Sequence, residues 1–240
     1  MPTDRRVVDL THVVEDGMIT YPGLPGPEVG VHLTREASRA HYAAGTEFEI
    51  GRVAMVANTG TYLDAPLHRF ATGADLAAVP LDRVAAVAGI VVDVRGAARG
   101  AGPEAFAGLD VAGHAVLLHT GWDAHWRTER YGQDAPFLTL DGARHLADHG
   151  AVLVGTDSVN IDDIEDRARP AHTTLLGAQV GVLEHLTNLG ALPRDGFELH
   201  AAPVPVRGLG TFPVRAYAVL AASHGGPAGG PASGPGGGPG

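Results

Sequence analysis

The chain has 240 residues, of which 45% are hydrophobic and 18% are charged, and it carries a formal net charge of −10. This composition is typical of a globular protein with one large or two small domains. The sequence contains no cysteine, which excludes disulfides, thiolate metal sites and a cysteine nucleophile, so any metal must be held by His, Asp or Glu. The acidic balance argues against nucleic acid and anionic membrane surfaces as partners, because both attract basic patches.

The two ends of the chain differ in character. The opening residues, MPTDRRVVDLTHVV, contain no long apolar segment and no cleavage signal, and no apolar run reaches transmembrane length. We therefore expect a cytoplasmic protein. Residues 225–240, GGPAGGPASGPGGGPG, offer no side chains that could bury apolar surface. They are predicted to form a disordered tail after a single domain at residues 1–224.

Short apolar runs predict most of the regular structure. Residues 7–10 and 48–56 predict strands, the latter because it is rich in branched residues. Short, nearly continuous apolar runs, typical of strands buried on both faces, occur at residues 90–94, 115–120, 151–157 and 212–220. An apolar stripe predicts a helix at 140–149, which Thr139 can cap and Gly150 can end, and a weaker stripe marks a second helix at 81–87. The periodicity alone allows an α/β or an α+β fold with a mixed sheet core and few short helices.

The segment NTGTYLDAPLH at residues 58–68 follows the predicted strand at 48–56. Its Gly and Pro predict a rigid loop at a strand end, a common position for functional groups. Asp64 and His68 are residue types that can share a metal or exchange a proton. The alternative is structural, because an Asp in a turn commonly accepts backbone N–H bonds and a lone His is commonly a satisfied polar residue.

Two later stretches contain further candidates. His172 follows a Pro-Ala step, which predicts a turn, and Glu184 ends an apolar run. A charge at the edge of a core is seldom unpaired, so Glu184 is either a metal ligand or acid–base group, or the partner of a nearby arginine. The stretch GTDSVNIDD at residues 155–163 either lines a pocket or forms a turn.

Taken in order, these pieces resemble the cyclase family that includes bacterial kynurenine formamidases and isatin hydrolase. The family signature HxGTHxDxPxH aligns with NTGTYLDAPLH. The segments DLTH, YPG, LLHTGW, GTDS, PAH and EHLTNL, which begin at residues 9, 21, 117, 155, 170 and 184, resemble further family segments in the same order. The resemblance thus covers nearly all of the chain before residue 225.

The resemblance implies a compact β/β/α fold, a homo-oligomer (dimer or tetramer) and a small-molecule substrate. It also implies one or two divalent metals, commonly zinc or manganese, that activate water for attack on an amide or lactam carbonyl. Mapped residue by residue, Asp64 matches a metal-binding carboxylate with a role in catalysis, and His68 matches the proton-transfer histidine. His172 and Glu184 match the remaining ligands, and Tyr21 matches an aromatic residue that lines the substrate pocket.

Two positions depart from the family signature, because Asn58 and Tyr62 stand where it has metal-binding histidines. An Asn carbonyl is a weak zinc ligand, and Tyr binds a metal well only after it loses a proton with a pKa near 10. We therefore expect no dinuclear centre and at most one divalent metal, held by Asp64, His172 and Glu184. Asn58 would then line the substrate pocket.

Three functions remain open from the sequence. The first is an enzyme with at most one metal that hydrolyses a small amide or lactam, with His68 as general base and then acid. The second is a metal-independent cyclase, dehydratase or isomerase in which Tyr62, His68 and a carboxylate perform acid–base chemistry, since a phenol can donate to a developing oxyanion. The third is a non-catalytic protein that binds a small molecule.

Overall fold

The computed structural model of the protein describes residues 5–220, so the predicted tail at 225–240 lies outside the described residues. The strands in chain order are β1 (Arg6–Asp9), β2 (Glu28–Leu33), β3 (Ile50–Ala54), β4 (Tyr62–Asp64), β5 (Val87–Asp93), β6 (Gly100–Ala101), β7 (Ala115–His119), β8 (Phe137–Leu138), β9 (Leu153–Thr156), β10 (Gly181–Glu184), β11 (Phe197–His200), β12 (Thr211–Pro213) and β13 (Tyr217–Leu220). The α-helices are α1 (Arg35–Ser38), α2 (Leu140–Asp148) and α3 (Pro170–Gly177).

A mixed nine-stranded sheet forms the centre of the protein, in the order β1-β13-β11-β5-β7-β9-β10-β4-β12. Strands β5, β7, β9 and β10 are parallel, and the flanking strands pair antiparallel. The predicted α/β fold with a mixed sheet and few short helices is confirmed. Two short two-stranded sheets, β2-β3 and β6-β8, complete the strand pairing within residues 5–220.

Both faces of the central sheet are covered, which explains why its strands are continuous apolar runs. All five residues of β7 are buried. Leu117 packs into one hydrophobic core, whereas its neighbours Val116 and Leu118 pack into another that includes residues of α2 and α3. Because successive strand side chains point to opposite faces, an unbroken apolar run is what a two-faced core requires.

The predicted helix at 140–149 is confirmed as α2. The Thr139 side chain accepts a hydrogen bond from the backbone N–H of Gly142 at 3.1 Å, and Gly150 follows the helix with a positive φ of 82°. Two residues of its apolar stripe, Ala143 and Leu146, are fully buried. The local signals and the apolar stripe therefore agree at both ends of this helix.

Two predictions of regular structure are wrong. The helix predicted at 81–87 is only a 3₁₀ turn at Leu81–Arg83, because the chain continues into β5, where Val87 pairs with Leu199 of β11. The strand predicted at 212–220 is two strands, β12 and β13, which pair near opposite ends of the sheet order. A three-residue link can join them only if the sheet curls and brings those ends together.

The cap of α2 offers a test of how the helix is held. Thr139→Ala should lower the free energy of unfolding by about 1 kcal/mol, the usual cost of losing an N-cap hydroxyl. Thr139→Ser keeps the hydroxyl and should stay close to the wild type. Urea unfolding followed by circular dichroism measures both, and equal losses in the two variants would contradict a role for the hydroxyl.

Candidate functional site

The segment at residues 58–68 forms the loop that its Gly and Pro predicted only at residues 58–61, where Gly60 has a positive φ of 66°. Its centre is the buried strand β4, which inserts between β10 and β12, and a 3₁₀ turn at Pro66–His68 follows. Tyr62 pairs with Glu184 of β10, while Asp64 pairs with Thr211 of β12. Long-range pairing therefore overrides the local turn signals and fixes four polar side chains beside one another.

A cavity of about 410 Å³ collects most of the predicted site residues. Its lining includes Tyr21, Asn58, Tyr62, His68, His172 and Glu184. Asp64 is fully buried beneath it, with its carboxylate 3.5 Å from the Nε2 atom of His172. The seven residues singled out from the sequence thus surround a single site, although 163 positions separate the first from the last.

His172 lies in the first turn of α3 and not in the predicted turn. Its Nδ1 atom lies 2.6 Å from Asp162 Oδ2, and the same carboxylate accepts the backbone N–H groups of Ala171 and His172. Asp162 therefore holds both the start of the helix and the imidazole. Because Nδ1–H donates to Asp162, Nε2 is directed at the other two carboxylates, each 3.5 Å away, those of Asp64 and Glu184.

Burial and the surrounding carboxylates shift the pKa of His172 in opposite directions. Burial alone would lower the pKa of His172, but the three carboxylates around it raise the pKa to about 10. Both His172 Nε2 and Asp64 Oδ2 are buried without a hydrogen-bond partner among residues 5–220. Buried polar atoms are rarely left in this state, so this pair of atoms calls for a shared positive charge, either a proton or a cation.

Within residues 5–220 Glu184 has no arginine partner, which was the structural alternative for this residue. One carboxylate oxygen accepts the Tyr62 hydroxyl at 2.7 Å, and the other accepts the backbone N–H of Ile161 at 2.7 Å. Burial raises the pKa of Glu184, and the nearby His172 lowers it. Two hydrogen-bond donors and an adjacent imidazole therefore stabilise this buried carboxylate in place of water.

His68 is joined to Asp64 through Thr211, a residue that the sequence reasoning missed. The Thr211 hydroxyl donates to Asp64 Oδ1, and it lies 2.7 Å from His68 Nδ1. Since the single hydroxyl proton goes to Asp64, Nδ1–H of His68 must donate to the Thr211 oxygen. In the neutral ring with this tautomer, Nε2 carries the lone pair, and His68 lines the cavity. Only the pairing of β12 with β4 reveals Thr211, since no local motif marks it.

Tyr62 is also part of a chain of hydrogen bonds that was not predicted. Its oxygen lies 3.3 Å from His185 Nε2, and His185 Nδ1 lies 2.8 Å from the Tyr131 hydroxyl. Because Tyr62 donates to Glu184, the consistent arrangement has Tyr131 donating to His185 and His185 donating to Tyr62. Burial and the nearby carboxylates raise the pKa of Tyr62 well above 10, so it stays a neutral phenol.

Three potential metal ligands converge at the base of the cavity. One ligand atom each from Asp64, His68 and His172 lies within 4.8 Å of the others. The sequence placed Glu184 instead of His68 with Asp64 and His172, and Glu184 contacts the same imidazole but is occupied by Tyr62 and Ile161. The partnerless atoms of Asp64 and His172 fit a cation of the kind that carboxylate and imidazole ligands bind.

The stretch at residues 155–163 combines both readings given to it. Local hydrogen bonds of the kind that the structural alternative expects are donated by Ser158 N–H to Thr156 Oγ1 at 3.1 Å and by Asp162 N–H to Asn160 Oδ1 at 3.0 Å. Asp157 instead accepts the distant backbone N–H groups of Thr120 and Gly121 at 2.8 and 2.9 Å. Asn160 lines the cavity, and Ile161 donates to Glu184. The stretch therefore ends β9 and supplies part of the cavity wall.

The curled mixed sheet and the cavity of histidines and carboxylates beside β4 and β10 define an α/β protein with an enzyme-like site. The sequence profile described as "Putative cyclase" matches residues 8–163. A kynurenine formamidase of Salinibacter ruber is 30% identical over 210 residues, which cover 88% of this chain and 95% of that protein. The chain belongs to the cyclase family and is a cyclase-family hydrolase.

Solved structures show the same fold. One, described as a potential metal-dependent hydrolase with cyclase activity, is 27% identical, covers 90% of this chain and 98% of its own, and superposes with a TM-score of 0.74. Isatin hydrolase A of Labrenzia aggregata is 24% identical, covers 90% of this chain and 94% of its own, and has a TM-score of 0.76. At that identity the second likeness concerns the fold alone. Separately, the helices within residues 5–220 are too short or too polar to cross a bilayer.

Behind Tyr62 lies an aromatic cluster that also contains the half-buried imidazole of His12. His12 stacks on Trp126 with ring centroids 4.0 Å apart, and its Nε2 atom is buried without a partner among residues 5–220. Burial lowers the pKa of His12 to about 4, although Asp123 acts in the opposite direction. The ring is therefore neutral at neutral pH.

His12 should make stability depend on pH. Its pKa is about 4 in the folded chain and about 6.5 in an unfolded chain, so the unfolded state binds the extra proton between these values. The stabilising contribution is complete above about pH 6.5 and is lost as the pH falls towards about 4. His12→Phe keeps the stacking and should reduce the fall in melting temperature between pH 7 and pH 4.5. An identical fall in both proteins would contradict a buried neutral imidazole.

Proposed function

We propose that this enzyme hydrolyses the C–N bond of a small amide or lactam, with at most one divalent cation in its site. The observation that carries the proposal is the partnerless pair of Asp64 Oδ2 and His172 Nε2, 3.5 Å apart at the base of the cavity. Relatives named kynurenine formamidase, which share 28–30% of their residues with this chain, support the type of bond.

Asp64, His172 and Glu184 would hold the cation, which leaves His68 free to transfer a proton. A divalent cation bound there would act as a Lewis acid on the scissile carbonyl. A three-residue ligand set leaves positions open for substrate, as catalytic sites require. A second cation would need the ligands that Asn58 and Tyr62 do not supply, and Tyr62 remains a neutral phenol that donates to Glu184.

His68 is suited to move the proton. His68 lines the cavity, and in the neutral tautomer that donates Nδ1–H to Thr211 its Nε2 atom can accept a proton. The Thr211 hydroxyl in turn donates to the Asp64 carboxylate. As water adds to the carbonyl carbon, His68 takes its proton, and the resulting imidazolium is stabilised through Thr211 by Asp64. The same proton then passes to the nitrogen as the C–N bond breaks, which yields an acid and an amine.

The upper wall of the cavity would bind the small-molecule substrate. Tyr21 supplies an aromatic face, and its hydroxyl accepts a hydrogen bond from Arg169 at 3.2 Å. Arg169 also donates to the backbone carbonyl of Asp163, which fixes the guanidinium at the rim. Asn58 adds an amide group to the cavity wall. The cavity volume of about 410 Å³ suits a compact substrate.

The second candidate is metal-independent acid–base chemistry, such as ring closure, dehydration or isomerisation. The same geometry favours it, since a proton on His172 Nε2 would place a positive charge beside Asp64 and Glu184. A bound cation would supply that charge in the first candidate. The proposed role of Tyr62 in that chemistry has less support, because its only proton is donated to Glu184. The cytoplasmic location and the absence of a nucleic-acid partner stay predictions.

Replacement of the proton-transfer group tests the proposed hydrolysis. His68→Asn should reduce kcat by on the order of 10²-fold, the lower end of what general acid–base catalysis contributes. Absorbance assays with isatin and an N-formylated aromatic amine as probes, in protein supplied with Zn²⁺ or Mn²⁺, measure this. Restoration of part of the rate by added imidazole would support the assigned role. Full activity in the variant would contradict it.

Thr211 offers a more specific test, since it acts through His68. Thr211→Val keeps the shape of the side chain but removes the hydroxyl between His68 and Asp64, so kcat should fall by about 10-fold or more while KM changes little. Thr211→Ser keeps the hydroxyl and should retain most of the rate. Equal losses in the valine and serine variants would contradict the relay through the hydroxyl.

Tyr62→Phe separates the two candidate functions. If a cation supports hydrolysis, the variant should keep its metal content and lose less than about 10-fold in kcat, whereas His172→Ala should lose both metal and activity. If Tyr62 is the proton donor to an oxyanion, the phenylalanine variant should lose on the order of 10²-fold in kcat. Elemental analysis and steady-state kinetics on the same preparations distinguish these results.

A further inference from the structure

Two arginines, Arg69 and Arg169, are part of the lining of the proposed active-site cavity. Arg69 is exposed and Arg169 is half-buried, whereas Tyr62, His172 and Glu184 in the same lining are buried. The guanidinium groups therefore lie at the rim, towards solvent, and the groups assigned to the reaction lie at the base.

Both guanidinium groups are held against the start of α3. Arg69 Nε–H donates to the Thr173 hydroxyl at 3.0 Å, and Arg169 is the residue immediately before the helix. The backbone N–H of Thr173 donates to the carbonyl of Arg169 at 3.0 Å, so a single helical turn separates the two points of attachment. Positions one turn apart on a helix are neighbours. The two arginines are therefore placed to act on the same bound group.

Neither arginine is paired with a carboxylate within residues 5–220. Arg69 donates only its Nε–H there, so its two terminal NH2 groups have no partner. Arg169 donates to the backbone carbonyl of Asp163 at 2.9 Å and to the Tyr21 hydroxyl at 3.2 Å, and both acceptors are uncharged. The Asp163 carboxylate is already paired with Arg99 at 2.5 Å. Two positive charges thus line the cavity without a counter-ion from the described chain.

The cavity has no matching place for a positively charged group. Glu184 is the only residue with a carboxylate in its lining among residues 5–220, and its two oxygens accept hydrogen bonds from Tyr62 and Ile161. Asp64 is fully buried beneath the cavity. An ammonium group at the rim would meet two like charges, and juxtaposed like charges disfavour binding. A negatively charged group in the same place would be attracted.

We propose that Arg69 and Arg169 form an anion-binding subsite, and that the amide substrate carries a carboxylate and no ammonium group. The inference rests on the proposed hydrolysis for the reacting end of the substrate. The terminal N–H groups of an arginine form a planar fork that matches the two oxygens of a carboxylate. The carboxylate would bind at the rim, while the C–N bond lies at the base beside His68.

The net charge of the chain makes such a subsite necessary for an anionic substrate. A formal charge of −10 repels anions at long range, and the two guanidinium groups reverse the sign locally at the rim. Attraction between solvent-exposed charges is screened by salt. The KM of a carboxylated substrate should therefore rise between 20 mM and 500 mM NaCl by a larger factor than the KM of a neutral analogue, and equal factors would contradict the subsite.

A matched series of formylated anilines tests the charge preference. The probes 3-formamidobenzoate, formanilide and 3-formamidobenzylamine place an anionic, a neutral and a cationic substituent on the same reacting amide. In protein supplied with Zn²⁺ or Mn²⁺, kcat/KM should be highest for the benzoate and lowest for the benzylamine. Arg69→Gln should lower the ratio of kcat/KM for the benzoate to that for formanilide by about 10-fold, the lower end of what a hydrogen bond to a charged group contributes.

Arg52→Gln is the matched control for that experiment. Arg52 is exposed in β3 and is not part of the cavity lining, so the variant makes the same change in net charge away from the site. It should leave the ratio of the benzoate to formanilide unchanged. A preference for formanilide or the benzylamine in the wild type, or an equal fall of the ratio in Arg69→Gln and Arg52→Gln, would overturn the proposal.

A binding measurement separates failure of this inference from failure of the proposed hydrolysis. Calorimetric titration with 3-aminobenzoate and with aniline needs no turnover, and the benzoate should bind about 10-fold more tightly. Arg69→Gln should reduce that difference, and the further change Arg169→Gln should remove it. If no formamide is hydrolysed but the difference is found, the subsite stands and only the hydrolysis fails. Equal affinities, or a difference that survives in the double variant, would contradict the subsite even in an enzyme that hydrolyses formanilide.

Discussion

The imidazole of His172 is surrounded by three buried carboxylates, and this arrangement of charge is the constraint on which the site depends. Asp162 holds its Nδ1 side, while Asp64 and Glu184 face its Nε2 side at 3.5 Å. Buried like charges are costly unless a positive charge lies among them. The cluster therefore requires a proton or a cation between Asp64 and His172, and that positive charge determines which chemistry the cavity supports.

The sheet makes this arrangement possible through its register. Pairing of β4 with β10 places Tyr62 against Glu184, and pairing of β4 with β12 places Asp64 against Thr211. Asp162 connects this layer to α3, since it accepts the first N–H groups of the helix as well as the His172 ring. Backbone pairing and helix capping thus position the acid–base groups before any substrate arrives.

The parts of the structure that depend on short stretches of sequence could be predicted. The buried strands β7 and β9 are apolar runs, and α2 has its cap and its stripe, so each was found at close to its true bounds. The candidate residues came from their likeness to a family motif, and the structure gathers them around one cavity.

The roles of Thr211, His185 and Tyr131 escaped prediction, because each depends on a partner more than 50 positions away. The helix expected at 81–87 failed for the same reason, since pairing with β11 outweighs a weak local stripe.

The most direct test of the account is a calorimetric titration of metal-depleted protein with Zn²⁺ or Mn²⁺. A single site at Asp64 and His172 predicts about one equivalent of bound metal per chain, the stoichiometry of one mononuclear centre. Asp64→Asn keeps the shape of the side chain but removes a charged ligand, so it should abolish that binding. Two equivalents bound in the cavity, or one equivalent that survives Asp64→Asn, would contradict the single-cation site. No binding at all would assign the positive charge to a proton on His172.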